Sequence, residues 1–151
     1  MRRTLLIGLT LVFLAGCAGA PRAKYPIDRA QGRYTVVALT FRDDVAKDGS
    51  VHRYAVAMAN NWAEHLRGQG HQEVYVADLG TEAMVTMGSY PSRESARRAV
   101  RDIAKVLQQN VGAQVRVRGG TKTTGGRQVL GLRPYPEELK HIKDLSKRRR
   151  R

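Results

Sequence analysis

Hydrophobic and polar positions in the first half of the chain predict one helix set among short strands. Residues 34–41 are rich in β-branched and aromatic side chains, which is typical of a strand. Between residues 51 and 66 the apolar positions recur at steps of three and four, the spacing of one helix face. Residues 73–78 and 83–87 are two further strand candidates, and the four residues between them suit a hairpin turn.

The second half predicts another helix and at least one more strand. Ser92 is placed to cap a helix whose buried face is made of apolar residues three and four apart. These are Ala96, Ala99, Val100, Ile103 and Leu107. Residues 113–118 alternate apolar and polar positions as a half-buried strand does, and residues 119–126 are polar and glycine-rich, which favours a loop. Residues 128–132 are a weaker strand candidate, and residues 136–147 a short helix or tail.

The resulting order, β-α-β-β-α-β, predicts an α+β fold of the split βαβ type found in ferredoxin-like and RNP-like domains. In this arrangement two helices cover one face of an antiparallel sheet. The other sheet face is expected to be open, and a basic C-terminal extension follows the domain.

The amino terminus has the features of an export signal. Arg2 and Arg3 precede an apolar run over residues 5–15, which is too short to span about 30 Å of hydrocarbon. The run ends in Leu-Ala-Gly followed by Cys17, the one cysteine of the chain. This ending resembles the lipobox of bacterial lipoproteins, which implies cleavage before Cys17 and a lipid on its sulfur. The alternative is an ordinary secretory signal with a chance cysteine.

These features predict four segments: a lipoprotein signal peptide over residues 1–16, a flexible tether over 17–32, a folded domain over 33–118 and a basic extension over 119–151. With a single cysteine the chain cannot form an internal disulfide, so its fold depends on its core. In lipoproteins a small residue after the cysteine, here Ala18, implies a place in the outer membrane facing the periplasm.

Positive charge is concentrated in the C-terminal segment. Residues 113–151 contain 12 basic and 3 acidic side chains, whereas residues 17–112 contain 13 and 10. The chain ends in Lys147, Arg148, Arg149, Arg150 and Arg151. Such a segment attracts anionic polymers, although a solvated tail without a partner is the alternative. Nucleic acid is not expected as a partner because the protein is expected to be exported.

The region from Tyr34 to about Val117 resembles a SPOR (sporulation-related repeat) domain, an envelope module that binds peptidoglycan glycan strands lacking stem peptides. The resemblance is carried by residues 85–96, VTMGSYPSRESA, with alternating apolar residues, a glycine, a small residue, an aromatic residue and Ser-x-Glu-x-Ala. The roles of these residues are structural: Gly88 allows a tight turn and Tyr90 closes the end of the core.

Glycan binding would use the open sheet face, where aromatic and polar groups can match the faces and edges of a sugar. The candidate residues are Thr35, Val37, Tyr75, Met84, Thr86 and Tyr90. Ordinary half-exposed strand residues are the alternative interpretation. Val37 and Leu39 stand where the family usually has glutamine and glycine, and two outward apolar residues indicate that this face is covered. The C-terminal segment is the candidate cover.

No pattern indicates an enzyme, a metal site or a cofactor. The four histidines are scattered without ligand spacing, and the adjacent Asp43 and Asp44 fit a solvated turn better than a catalytic pair. Two functions stay open. The first is an envelope lipoprotein that binds peptidoglycan glycan; the alternative is a structural or assembly lipoprotein whose sheet face binds its own C-terminal segment or a protein partner.

Overall fold

The computed structural model describes residues 21–45, 48–49, 51–111, 116–118, 121–124, 127–130 and 134–149. The predicted signal peptide and Cys17 lie outside the described residues, as do Arg150 and Arg151 at the carboxyl end. For residues 116–130 the description covers the backbone of the strands.

Strands and helices follow one another in the order that the hydrophobic pattern predicts, with additions near the C terminus. The elements are β1 (Tyr34–Arg42), β2 (Asp44–Val45), β3 (Val51–His52), α1 (Ala55–Gly68), β4 (Val74–Asp78), β5 (Glu82–Tyr90), α2 (Arg93–Val111), β6 (Arg116–Arg118), β7 (Thr121–Thr124), β8 (Arg127–Leu130), β9 (Tyr135–Glu138) and α3 (Leu139–Arg149). Within the described ranges, none of the helices combines the length and the apolar character that crossing a membrane requires.

The sheet confirms the predicted α+β class and split βαβ arrangement. Strand β1 lies at its centre and pairs with β5, which pairs with β4 in turn. On its other side β1 pairs with β8 near its carboxyl end and with β9 near its amino end. All of these pairings are antiparallel. The central part of the sheet has the order β4-β5-β1, and β8 and β9 share the remaining edge of β1.

The strand beside β1 differs from the one expected. The alternating residues 113–118 predict the fourth core strand, but β6 pairs only with β7, at the edge of the sheet. The segment 119–126, expected to be a loop, contributes β7, which joins β6 to β8. Local alternation identifies a strand but does not identify its partner, and here an additional hairpin precedes the strand that reaches β1.

Helix α1 begins at Ala55 and not at Val51 as its apolar spacing suggests. Val51 belongs to a two-residue strand that pairs with β2. The carboxylate of Asp43 accepts hydrogen bonds from the backbone amides of Tyr54 and Ala55, at 2.8 and 2.7 Å. Because these amides have no partner within the helix, a buried acceptor there fixes the helix start. Asp43 therefore acts as a cap from a neighbouring loop.

The predicted capping of α2 is confirmed, whereas β5 is longer than expected. The hydroxyl of Ser92 accepts a hydrogen bond from the backbone amide of Ser95 at 3.2 Å. Strand β5 continues through Gly88 to Tyr90 and does not end at Met87. Gly88 has a φ of 75°, and a Cβ atom there would lie 2.7 Å from Cε2 of Tyr90. Gly88 therefore lets the aromatic ring fold back over the backbone.

Helices α1 and α2 pack on the same face of the sheet, as predicted, and enclose the larger of two apolar clusters. Its fully buried members from the helices are Ala55, Ala59, Ala63, Leu66 and Ala96, and those from the sheet include Val36, Phe41, Val76 and Val85. Trp62 of α1 is half-buried against this cluster. Small residues on both helices allow them to lie close to the strands.

The opposite sheet face is covered by the C-terminal segment, as Val37 indicates, and is not open as the element order alone predicts. Helix α3 contacts β4 and β9 on that side, and Leu139 and Ile142 form a second apolar cluster with Val37 and Ala77. Leu39 does not join this cluster: a register shift between Val37 and Leu39 turns it toward α1 and α2. The fold is therefore a three-layer arrangement with helix on both faces of the sheet.

The segment 17–32, expected to be a flexible tether, is docked from Arg22 onward. The amide of Asn60 donates to the carbonyl of Arg22 at 2.8 Å, and Val76 donates its backbone amide to the carbonyl of Tyr25 at 2.6 Å. A short 3-10 turn, Ile27–Arg29, follows, and Ile27 is fully buried in the second cluster. In the docked segment these backbone groups form hydrogen bonds within the protein, whereas in a free tether they would form them with water.

Candidate functional site: the covered sheet face

Most of the candidate ligand residues do lie together on one face of the sheet. Val37, Thr86 and Tyr75 occupy adjacent positions across β1, β5 and β4. Met84 lies two residues from Thr86 on the same face of β5 and packs against the second cluster together with Tyr75. The pleat of the three strands therefore assembles these side chains as the sequence predicts.

Tyr90 belongs to the other side of the sheet. Its ring packs against the larger cluster beneath α1 and α2, at the end of β5. Partial burial, together with the negative charges of Glu73 and Asp102, raises the pKa of its hydroxyl above the ordinary value of 10.0. Tyr90 thus closes the end of the main core, which is the structural role that its motif implies.

Burial removes three of the candidates from contact with a large ligand in this conformation. Thr35 and Thr86 have no exposed surface and Val37 has 1%. The hydroxyl of Thr35 donates to the backbone carbonyl of Gly88 at 2.7 Å, so it serves the strand pairing. A polysaccharide could approach these residues only after the layer above them had moved.

That layer is made of α3 and of the chain around the 3-10 turn. Leu139, Ile142 and Ser146 are the buried side chains of α3, at positions i, i+3 and i+7 of one helix face. The backbone amide of Leu139 donates to the carbonyl of Arg33 at 3.0 Å. The ammonium group of Lys143 donates to the carbonyl of Ala30 at 2.7 Å, which joins α3 directly to the docked N-terminal segment.

Among the residues that the structure describes, two hydroxyl groups on this side of the protein are buried without a hydrogen-bond partner. They are the side chains of Thr86 on β5 and Ser146 on α3. Leaving a buried hydroxyl unpaired costs about 1–3 kcal/mol. The contact between α3 and the sheet is therefore less favourable than an entirely apolar one, although Leu139 and Ile142 each contribute about 1.5–3 kcal/mol.

The exposed side of α3 carries the described part of the basic C-terminal segment. Lys140, Lys147 and Arg148 are exposed, whereas Asp144 is the one acidic residue of this helix. One helix thus combines an apolar inner face with a cationic outer face. The sequence predicts the charge of this segment and names it as the candidate cover, although its buried face has only two apolar side chains, Leu139 and Ile142.

Sequence reasoning also missed a second basic surface, on α2. Arg93, Arg97, Arg101 and Lys105 are exposed and follow one another at steps of four, which places them along one side of the helix. That spacing is visible in the sequence. The apolar positions of α2 predict which side faces the core, but they carry no information about the charges on the outer side.

Among the described residues, no group of three or more histidine, cysteine, aspartate or glutamate side chains could hold a metal ion. Asp43 is only 5% exposed and is engaged in capping α1, whereas its neighbour Asp44 is exposed. The two carboxyl groups therefore lie in different environments and do not form a paired acid and base.

The chain matches no protein-family model, no curated protein and no solved structure.

Proposed function

We propose that the chain is a non-enzymatic lipoprotein of the cell envelope whose sheet face is occupied by its own C-terminal helix. The supporting observation is the burial of Leu139 and Ile142 against Val37 and Ala77. The leader and Cys17 support an anchor on the outer membrane, facing the periplasm. The role is structural: a folded body next to the membrane that binds anionic polymers of the envelope through its basic C terminus.

The charge of the C-terminal segment supports this choice of partner. Lys140, Lys147 and Arg148 project from a helix whose other side is fixed to the sheet, and Arg149, Arg150 and Arg151 follow them. Cationic side chains on a fixed helix attract a polyanion at long range, and salt weakens that attraction. No neutral ligand is required to account for this surface.

A test is the retention of the full mature chain on purified peptidoglycan sacculi, before and after an amidase removes the stem peptides. We expect no greater retention after amidase treatment, because the sheet face is not available to bare glycan and the removed stem peptides carry carboxylates. Retention should be lost as salt rises from about 0.1 M to about 1 M, since the screening length falls from about 10 Å to about 3 Å. Greater retention on amidase-treated sacculi that persists in high salt would contradict the proposal.

The second candidate is binding of glycan strands by the sheet face after α3 moves away. The unpaired hydroxyls of Thr86 and Ser146 favour it, because both would gain water partners on opening. Under this alternative, the variant Leu139→Asp, which disfavours the docked helix, would be retained on amidase-treated sacculi at about 1 M salt, where the natural chain is not. Under the primary proposal the variant gains no such retention.

A further inference from the structure

The outer face of α2 is polar and predominantly basic. Its exposed cations are Arg93, Arg97, Arg98, Arg101 and Lys105, and its exposed acids are Glu94 and Asp102. The remaining exposed side chains of this helix are Gln108 and Gln109. Because none of the α2 side chains whose burial the structure describes is large, apolar and exposed, a partner would be held there by charge and not by insertion of apolar groups.

Helices α1 and α2 together form the helix layer on one face of the sheet. The acidic side chains of this layer are already in ion pairs. Glu94 lies 3.4 Å from Arg98, and Asp102 lies 3.6 Å from Lys105. Glu64, the exposed acid of α1, lies 2.8 Å from Lys24. This hydrogen bond and the charge of Glu64 raise the pKa of Lys24, so the cation persists over a wider pH range.

Three arginines remain without an acidic partner. Among the residues that the structure describes, Arg93, Arg97 and Arg101 form no ion pair. They lie at steps of four along one side of α2, so their guanidinium groups form a row about 12 Å long, at 1.5 Å per residue over eight residues. An array of unpaired cations on a rigid helix suits a surface with many negative charges.

The covalent geometry of the chain places this row near the predicted anchor. Arg22 is docked on α1 through Asn60 and is the fifth residue after Cys17. Five residues span at most about 18 Å, even fully extended. Helices α1 and α2 lie on the same face of the sheet and are joined at their carboxyl ends, where the side-chain amide of Gln69 donates to the side chain of Asn110. A lipid on Cys17 therefore holds the helix layer close to the membrane.

We infer that the row formed by Arg93, Arg97 and Arg101 lies against the anionic lipid headgroups of the membrane that carries the anchor. This inference rests on the proposed lipidation of Cys17. The helix layer then faces the membrane, while α3 and the basic C terminus, on the opposite sheet face, point away from it. The protein thereby has two separate anion-binding surfaces, one for lipid and one for a polymer of the envelope.

The orientation is testable with the lipidated full mature chain in vesicles. An introduced cysteine is the only free thiol, because the sulfur of Cys17 is held in the thioether. A fluorescent label is attached at Gln108→Cys on α2 or at His141→Cys on α3, both exposed positions. The vesicles contain phosphatidylcholine alone or mixed with phosphatidylglycerol, and a quencher is attached to headgroups.

With phosphatidylglycerol present, we expect strong quenching of the label on α2 and weak quenching of the label on α3. Phosphatidylcholine alone should abolish the difference. The double variant Arg97→Gln/Arg101→Gln should lower the ratio of the two orientations by a factor of about 30, since each cation near an anionic surface contributes a factor of about five. The charge-matched variant Lys140→Gln/Arg148→Gln should leave the quenching at α2 unchanged.

Stronger quenching at α3, equal quenching at both positions or indifference to phosphatidylglycerol would each overturn the inference. Mass spectrometry of the same preparation distinguishes a failure of the proposed lipid anchor from a failure of the proposed role of α2. A chain without acyl groups on Cys17 contradicts the anchor itself, whereas an acylated chain with reversed quenching contradicts only the assignment of the α2 row.

Discussion

The substitution Leu139→Asp is expected to lower the free energy of unfolding by about 3–5 kcal/mol. It removes a fully buried leucine and leaves a carboxylate that must either desolvate or pull α3 off the sheet. The loss is limited to what the docking of α3 contributes, because the helix can detach. Urea unfolding measures the loss, and faster trypsin cleavage after Lys140 and Lys143 in the folded protein reports the detached helix.

The control for this variant is Leu145→Asp, the same change on the same helix. Leu145 is 38% exposed, so its carboxylate stays in water and the cost should be about 0.5 kcal/mol or less. Similar small effects of both variants on stability and on cleavage would mean that α3 does not cover the sheet in solution.

The substitution Gly88→Ala is expected to cost about 2–4 kcal/mol. The positive φ of Gly88 is unfavourable for alanine by about 1–2 kcal/mol, and the added methyl group overlaps the ring of Tyr90, which must move out of its site at the end of the core. Denaturant unfolding of the full mature chain, followed by the circular dichroism of its helices, measures the change.

Two variants separate the contributions of backbone strain and steric overlap. Gly70 has a φ of +97°, and no atom lies within 4 Å of the place that an alanine methyl group would take. Gly70→Ala should therefore show the strain alone, about 1–2 kcal/mol. In the Tyr90→Ser background, Gly88→Ala should likewise cost only the strain. An equal loss for Gly88→Ala with and without the tyrosine ring would contradict the proposed overlap.

The main body of the fold is predictable from sequence because its elements carry long, regular patterns. The apolar stripe of α1, the face of α2 from Ala96 to Leu107 and the alternation in β5 each extend over several turns or residue pairs. Such patterns specify both the type of element and the side that is buried. The same regularity explains why Tyr75 and Thr86 share one face of the sheet, whereas Tyr90 lies on the other.

The partners of short elements are less predictable, because pairing depends on the whole sheet. Val115 and Val117 alternate with polar residues as the apolar residues of a strand do. The position beside β1 is nevertheless taken by β8 and β9. Ile27 is one apolar residue in a polar segment, and its burial follows from docking and not from periodicity. The register shift after Val37, which separates it from Leu39, leaves no signal in the sequence.

The helix that covers the sheet face is only partly predictable from the sequence. Val37 on β1 is an apolar residue where a sugar-binding face would need a polar one, and this indicates a cover. The cover itself is hard to recognise because α3 is rich in lysine and its buried stripe includes Ser146. The local pattern of this helix is compatible both with a docked helix and with a solvated tail.

The docking of α3 on the sheet is tested most directly by a methyl nuclear Overhauser spectrum of the full mature chain. Cross-peaks are expected between the methyl groups of Leu139 or Ile142 and those of Val37 or Ala77. Their absence, together with a Val37 methyl resonance that a dissolved paramagnetic agent broadens, would show that the sheet face is open to solvent and would contradict the account.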